Sequence, residues 1–476
     1  MATLCALIRV NSCNSWINVN ISHLSRKFAK TEAPISLLPN SMFDTQLTQL
    51  KLLTIFITLF LFTATGVSAK INHVVIQKAL AQIPKVVRAS WWGFDEKDST
   101  KALQAAINSG ADKVIIENMG KQWIVGDTIQ LASNQEIFFE KGAIVLAKKG
   151  RFKPKMACLF EARQKENITL TGHGAILKMR KRDYQTKTYQ SAEWRHCLTL
   201  RSCRNIHIVG LTFADSGGDG IYLGTGKGGG PNMNIHIKDV ICDNNHRQGI
   251  SVINAENLLI ENSIFRNTSG TAPQAGIDFE PNRPSERIVN CVLRNCVSEN
   301  NKSYAYLVHL DSLDNSSVPV GLRFENCIAR GKTAAAVRLS TRNKNDKSTV
   351  KGLMEFDNCI FRTDRTSVVK IVNIPVTGCL VRFSNCTINE PSANPKYPAP
   401  ILFIARKEAT SDIGGVEFDN VTIIEKVQRP IMKFKNRNIL HKVNFLDITG
   451  TVIVKRGDET QTIKLKNLLN QLKKQN

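Results

Sequence analysis

The sequence is short of negative charge. Its 476 residues carry 40 Asp and Glu against 64 Lys and Arg, a formal net charge of +24. An excess of that size favours anionic partners. The chain lacks a recognised nucleic-acid motif and any basic helix with interleaved aromatics, which sets nucleic acid aside. It has no CxxC pair and no His/Cys cluster with zinc spacing, which excludes the common structural zinc sites. The apolar run over residues 52–67 is too short for a comfortable membrane span. Lys51 precedes it, and the small residues Val67-Ser68-Ala69 close it, as in a secretory signal. The expected organisation is a non-native extension over 1–41, a signal peptide over 42–69 and a linker over 70–90. No stable membrane span remains after cleavage. The chain is then secreted or periplasmic, and its anionic partner is a polymer outside the cell.

What the chain does have is a recurring phrase. Asn262-Ser263-Ile264, Asn295-Cys296-Val297, Asn326-Cys327-Ile328, Asn358-Cys359-Ile360, Asn385-Cys386-Thr387 and Asn420-Val421-Thr422 are spaced by 33, 31, 32, 27 and 35 residues. Such a period marks a stacked repeat, and the β-branched, alternating character marks strands. Between the phrases runs a second set of strands centred on Tyr222, Ser251, Asp278, His309, Arg338 and Lys370, each flanked by apolar residues. Alternation turns the flanking residues inward and the central ones outward. Coils that stack in parallel give an asparagine ladder at a corner and an inward column of cysteines. The fold class is therefore all-β, a single-domain parallel β-helix over 91–455.

Ser99-Thr100, the short Ala-rich stretch to Ile107 and Gly110 predict a capping helix at the front. Residues 456–476 are read as a basic tail or a second capping helix. Of the 12 cysteines, Cys5 and Cys13 fall in the leader. Equivalent inward positions for Cys296, Cys327, Cys359 and Cys386 argue for packing rather than disulfides.

The outward positions of the second strand set carry the chemistry. Asp278, Glu280, His309 and Asp311 are expected to form a two-by-two patch on adjacent coils. Tyr222 lies two coils before Asp278, and Arg338 one coil after His309. The connecting loops add Asp219, Asp243, His246, Arg247 and Arg283. Arginines pair bidentately with sugar carboxylates, so Arg247, Arg283 and Arg338, with Asp219 and Asp243, are the substrate-binding candidates. Neutralising a uronate acidifies its C5 proton, which a neutral His246 or His309, or a deprotonated Tyr222, can abstract. Asp278 and Glu280 complete the catalytic candidates. Asp278, Glu280 and Asp311 can orient these groups or hold Ca²⁺. The bland alternative is a structural salt-bridge ladder along a parallel sheet. The Gly226–Gly230 stretch precedes no helix and reads as a flexible loop, not a phosphate cradle.

Trp91-Trp92-Gly93-Phe94-Asp95, then Asp98-Ser99-Thr100 and the short helix, resemble the N-terminal cap of the pectate-lyase-like right-handed parallel β-helix superfamily. The Asn-Cys phrases and Gly-Ile-x-apolar strands resemble its coils. The resemblance implies a right-handed helix and a polysaccharide lyase or C5-epimerase. A polygalacturonase-like hydrolase with paired carboxylates and a non-catalytic polysaccharide-binding protein are the alternatives. The chain departs from the epimerase Asp-Pro-His phrase, offering Asn245-His246-Arg247 instead. It has Gly172-His173-Gly174 but neither the Asp-Asp pair nor the Arg-Ile-Lys of polygalacturonases. The expectation is a monomer acting on an acidic, uronic-acid-containing polysaccharide by β-elimination or C5 epimerisation.

Overall fold

The structure is a computed structural model. It describes residues 6–9, 16–19, 71–331, 334–343, 349–363, 367–390, 399–440 and 442–466. The leader thus lies outside it, except for a two-stranded antiparallel hairpin of Ala6–Arg9 and Trp16–Val19. So do the proposed signal peptide and residues 467–476.

Residues 68–476 form one compact unit. Alternation dictates its layout: apolar side chains on every second position cannot be buried by a lone strand, so each coil stacks on the previous one. Three ladders of short parallel strands run the length of the unit. One is an eleven-stranded sheet. Its strands are β1 (Ile129–Gln130), β2 (Phe160–Arg163), β3 (Leu198–Arg201), β4 (Ile221–Gly224), β5 (Gln248–Val252), β6 (Ala275–Phe279), β7 (Tyr304–Leu310), β8 (Ala335–Thr341), β9 (Val369–Val372), β10 (Ile401–Ala405) and β11 (Met432–Asn436). The other two ladders alternate within each coil, as in Asn232–Lys238 followed by Ile241–Asp243.

The corners explain the asparagines. Asn262, Asn295, Asn326, Asn358, Asn385 and Asn420 all adopt φ between 51° and 54°, a left-handed conformation that asparagine tolerates better than most residues. Each amide also bonds to the coil before it, as in Asn295 Nδ2 to Asn262 Oδ1 at 3.1 Å and Asn326 Nδ2 to Asn295 Oδ1 at 3.1 Å. The register slips once, where Asn385 donates to Asp357 rather than Asn358. A second ladder runs Asn134, Asn167, Asn205, Asn234, Asn257 and Asn290, again amide to amide.

Inside, Phe324, Phe356, Phe383 and Phe418 stack with centroids 4.5, 4.8 and 5.2 Å apart. The ten described cysteines are all buried and free. Cys296, Cys327, Cys359 and Cys386 point their thiols at backbone carbonyls of earlier coils, at 3.3–3.5 Å. They fill small spaces and satisfy an acceptor at once.

At the front, α2 (Thr100–Ile107) buries Leu103, Ala106 and Ile107. Its first free amide is met by Asp98 Oδ1, at 3.1 Å from Thr100 N, while the Ser99 hydroxyl bonds back to Asp95. The stretch read as a linker is instead structured. It holds α1 (His73–Leu80), capped by Asn72, and a strand Val86–Arg88 that pairs with Lys113–Ile116. At the far end Glu459–Lys464 is a strand, antiparallel to Ile448–Arg456, and most of the remaining tail lies outside the described residues.

Candidate functional site

The outward column of the eleven-stranded sheet reads Thr199, Tyr222, Ser251, Asp278, Leu307, Arg338, Lys370, Leu402 and Lys433. The register therefore corrects the expected patch. Asp278 faces Leu307, which in turn faces Arg338. His309 pairs with Ser340 and lies one coil beyond Glu280. From Thr199 to Asp278 this nominally outward face is buried, apart from the partly exposed Tyr222.

The centre gathers around Arg247, which enters from the loop before β5. Its Nη2 donates to Glu280 Oε2 at 2.8 Å, and its Nε lies 3.7 Å from Glu193 Oε1. The nearby carboxylates hold its guanidinium charged beyond the ordinary arginine range. Asp219 sits at the end of the loop before β4, fully buried, and neither of its carboxylate oxygens has a hydrogen bond. Burial pushes its carboxyl up to about 7, with Arg247 opposing. Asp278 accepts from Gln248 Nε2 at 2.7 Å through Oδ2, and its Oδ1 has no partner. Burial, and then the Glu280 charge, raises the Asp278 carboxyl well above its usual range. Two acids thus favour their protonated forms beside one glutamate held by an arginine.

A histidine that the sequence reading missed completes the wall. His196, buried, receives the Asp219 backbone N–H on Nδ1 at 2.9 Å. That nitrogen is an acceptor, yet it stands 3.3 Å from Asp219 Oδ2. Burial holds the imidazole neutral, so the contact suits a protonated Asp219. His196 also stacks on Tyr222 with centroids 4.7 Å apart, and Arg201 covers that ring at 4.9 Å. Burial raises the Tyr222 phenol, so Tyr222 is no phenolate base; it is a wall.

His309 lies half-buried, its Nδ1 2.9 Å from Ser340 Oγ and 3.8 Å from Asp311 Oδ1. Burial lowers its pKa despite Asp311 and Glu280, leaving a neutral imidazole. Three other predicted residues fall elsewhere. His246 points away from Arg247, because consecutive residues diverge, and contacts Gln185 and Thr271. It lines a cleft of about 380 Å³ with Tyr184 and Tyr189. Asp243 is engaged at a corner by Arg266 at 2.9 Å and by Asn267 at 2.7 Å. Arg283 is exposed on a loop that Glu286 fixes through backbone amides.

The expected calcium trio does not assemble. Glu280 is paired with Arg247 and Asp311 with Arg406, and among the described residues no three His, Cys, Asp or Glu side chains gather as a metal site. The residues do not fit a calcium ion. The salt-bridge ladder is real but lies on another face, where Arg323, Glu355, Arg382 and Glu417 alternate along the coils.

A family model described as "Right handed beta helix region" matches residues 187–352. The fold of the chain is a parallel β-helix. No curated protein matches its sequence. Among solved structures it is similar to the family 28 exopolygalacturonase of Yersinia enterocolitica, at 15% identity and a TM-score of 0.53, covering 79% of each chain. It is also similar to the pre-mature bacteriophage phi29 gene product 12, at 15% identity and a TM-score of 0.54, over 79% of this chain and 54% of that one. The Dettilon tailspike protein gives 12% identity and a TM-score of 0.50, over 76% and 68%. Likeness at these identities shows the fold. Among the described residues, no helix is long and apolar enough to cross a membrane.

Proposed function

We propose that this protein cleaves an acidic, uronic-acid-containing polysaccharide outside the cell, using its carboxyl groups as acid and base. One observation carries the reading. Three buried carboxylate oxygens, two on Asp219 and one on Asp278, lack hydrogen bonds in one place on the sheet. Such oxygens cost stability, and acids pushed toward neutrality are suited to proton transfer. Protonated Asp278 donates to the leaving glycosidic oxygen. Asp219, whose carboxyl is pushed up to about 7, takes a proton from water when it is in its ionised form. Arg247 holds Glu280 in an ion pair beside the positive charge that develops on the sugar ring. Glu193 approaches Arg247 and His196 approaches Asp219, and both acids are fully buried, so sugar reaches them only when the surrounding side chains open. Trp194 is 41% exposed there and offers an indole to a sugar ring. The structural likeness to an exopolygalacturonase and a tailspike is in keeping with the reading.

The neutral His309 on the same face favours a second reading, β-elimination or C5 epimerisation with that imidazole as base. The two separate in one experiment. The chain is incubated with alginate, polygalacturonate and glycosaminoglycans. Hydrolysis yields new reducing ends without ultraviolet absorbance, is lost in Asp278→Asn and is largely kept in His309→Ala. Elimination yields the absorbance of an unsaturated uronate and is lost in His309→Ala. Release of neither product from any of these polymers would refute both.

A further inference from the structure

Past the carboxyl centre the outward column changes sign. Arg338 and Lys370 occupy successive rungs as direct register partners. Both are half-buried. Among the described residues Arg338 reaches Ser340, at 3.5 Å, and the Tyr304 ring, at 5.8 Å. Lys370 has no hydrogen bond or ion pair among the described residues. Two like charges one rung apart, about 4.8 Å, repel each other. The same chain shows how it compensates such columns elsewhere: on the neighbouring face each arginine is followed by a glutamate, as in Arg323–Glu355 at 2.9 Å and Arg382–Glu417 at 2.8 Å. Here the compensation is missing. Apolar rungs bracket the pair, Leu307 before it and Leu402 after it.

We propose that Arg338 and Lys370 form a subsite for one anionic group of the glycan, a ring carboxylate or a sulfate ester. The glycan then lies along the helix axis, its anion two to three rungs, about 10–14 Å, from Asp278. Leu307 supplies the apolar floor between cleavage and anchoring. Arginine takes the anion through its planar fork, lysine as a point charge. The proposal rests on the carboxyl-cleavage reading for its reference point, but its test is binding.

Binding of uronic-acid oligosaccharides to the full chain is measured by calorimetry, beside the same oligosaccharides with reduced carboxyls and a sulfated neutral set. Lys370→Met should bind the charged ligand at least about tenfold more weakly, since a charge-assisted contact is lost. Its affinity for the neutral set should equal that of the unsubstituted chain. Its melting temperature should not fall, because the lysine has no partner to lose. A loss confined to the sulfated set identifies the anion as sulfate, and a loss confined to the uronate set identifies it as carboxylate. Equal affinity of Lys370→Met and the unsubstituted chain for both charged sets overturns the subsite, even if Asp278→Asn abolishes cleavage. Conversely, weakened binding in Lys370→Met with full cleavage by Asp278→Asn keeps the subsite and removes the carboxyl mechanism.

Discussion

Asp219 makes a stability prediction that is independent of any substrate. Its carboxyl is pushed up to about 7 by burial, whereas an aspartate in an unfolded chain titrates near 3.9. Between about pH 4 and about pH 7 the folded chain therefore holds a proton that the unfolded chain has released. Stability contributed at this position is present below the unfolded value and is lost as pH rises through the window. Three pH units set a ceiling of roughly 4 kcal/mol on that loss; relaxation and water entry reduce it to about 1–3 kcal/mol. Asp219→Asn removes the titration and keeps the shape. Urea unfolding of both chains between about pH 4 and about pH 8 should show the variant gaining on the unsubstituted protein as pH rises, by up to about 1.4 kcal/mol per unit. Asp278 and the other acids are present in both chains and largely cancel. A stability difference that does not change with pH refutes the reasoning, because an ionised Asp219 satisfied by Arg247 would behave in that way.

Three further outcomes follow from the coil itself. Asn326→Ala puts a residue that tolerates a left-handed φ of 54° less well than asparagine at this corner and breaks the amide ladder on both sides, so chemical unfolding should show a loss of about 2–3 kcal/mol. Asn326→Gly keeps the backbone comfortable and should lose about 1 kcal/mol less; equal losses would mean that φ is not the cause. Phe356→Ala opens the middle of the ring stack and should lose about 3–5 kcal/mol, and a loss under about 1 kcal/mol would mean that the stack collapses freely. The ten buried thiols should resist iodoacetamide in the native state and react on unfolding, and a reductant should leave the melting temperature unchanged.

The solenoid was legible because its physics repeats: the same alternation and the same corner asparagine recur once per coil. The register of the site was harder to read. β7 presents both Leu307 and His309 outward, and a shift of two residues preserves the face, so alternation cannot distinguish them. The strand pairing, Ala275 with Tyr304 and Ile277 with Tyr306, places Leu307 opposite Asp278. His246 failed for the opposite reason, since it neighbours Arg247 in sequence and so points elsewhere. His196 precedes a strand, Leu198–Arg201, that shows the same alternation one rung before Tyr222. Extending the column back by one coil finds Thr199, and His196, three residues earlier, falls outside the alternation. The burial of Asp219 was not readable at all, because it depends on the segment 191–196 crossing from an earlier coil.

Function and stability pull this sheet in different directions, and the position of that conflict is informative. Along the Asn and Phe columns each rung improves its neighbours, through amide pairs in one and stacked rings in the other. A solenoid with nearest-neighbour energetics gains most by repeating such favourable rungs. The outward column from Thr199 to Lys370 never repeats a residue. It holds Asp278, with one carboxylate oxygen left without a partner, close to the buried Asp219 of the preceding loop, and then sets Arg338 and Lys370 one rung apart with no carboxylate bonded to either among the described residues. Neither arrangement improves its neighbours, and both lie on one strand set within six coils. On this face acids come first and cations after, the order that the proposed polyanion, held at one end and protonated at the other, would use.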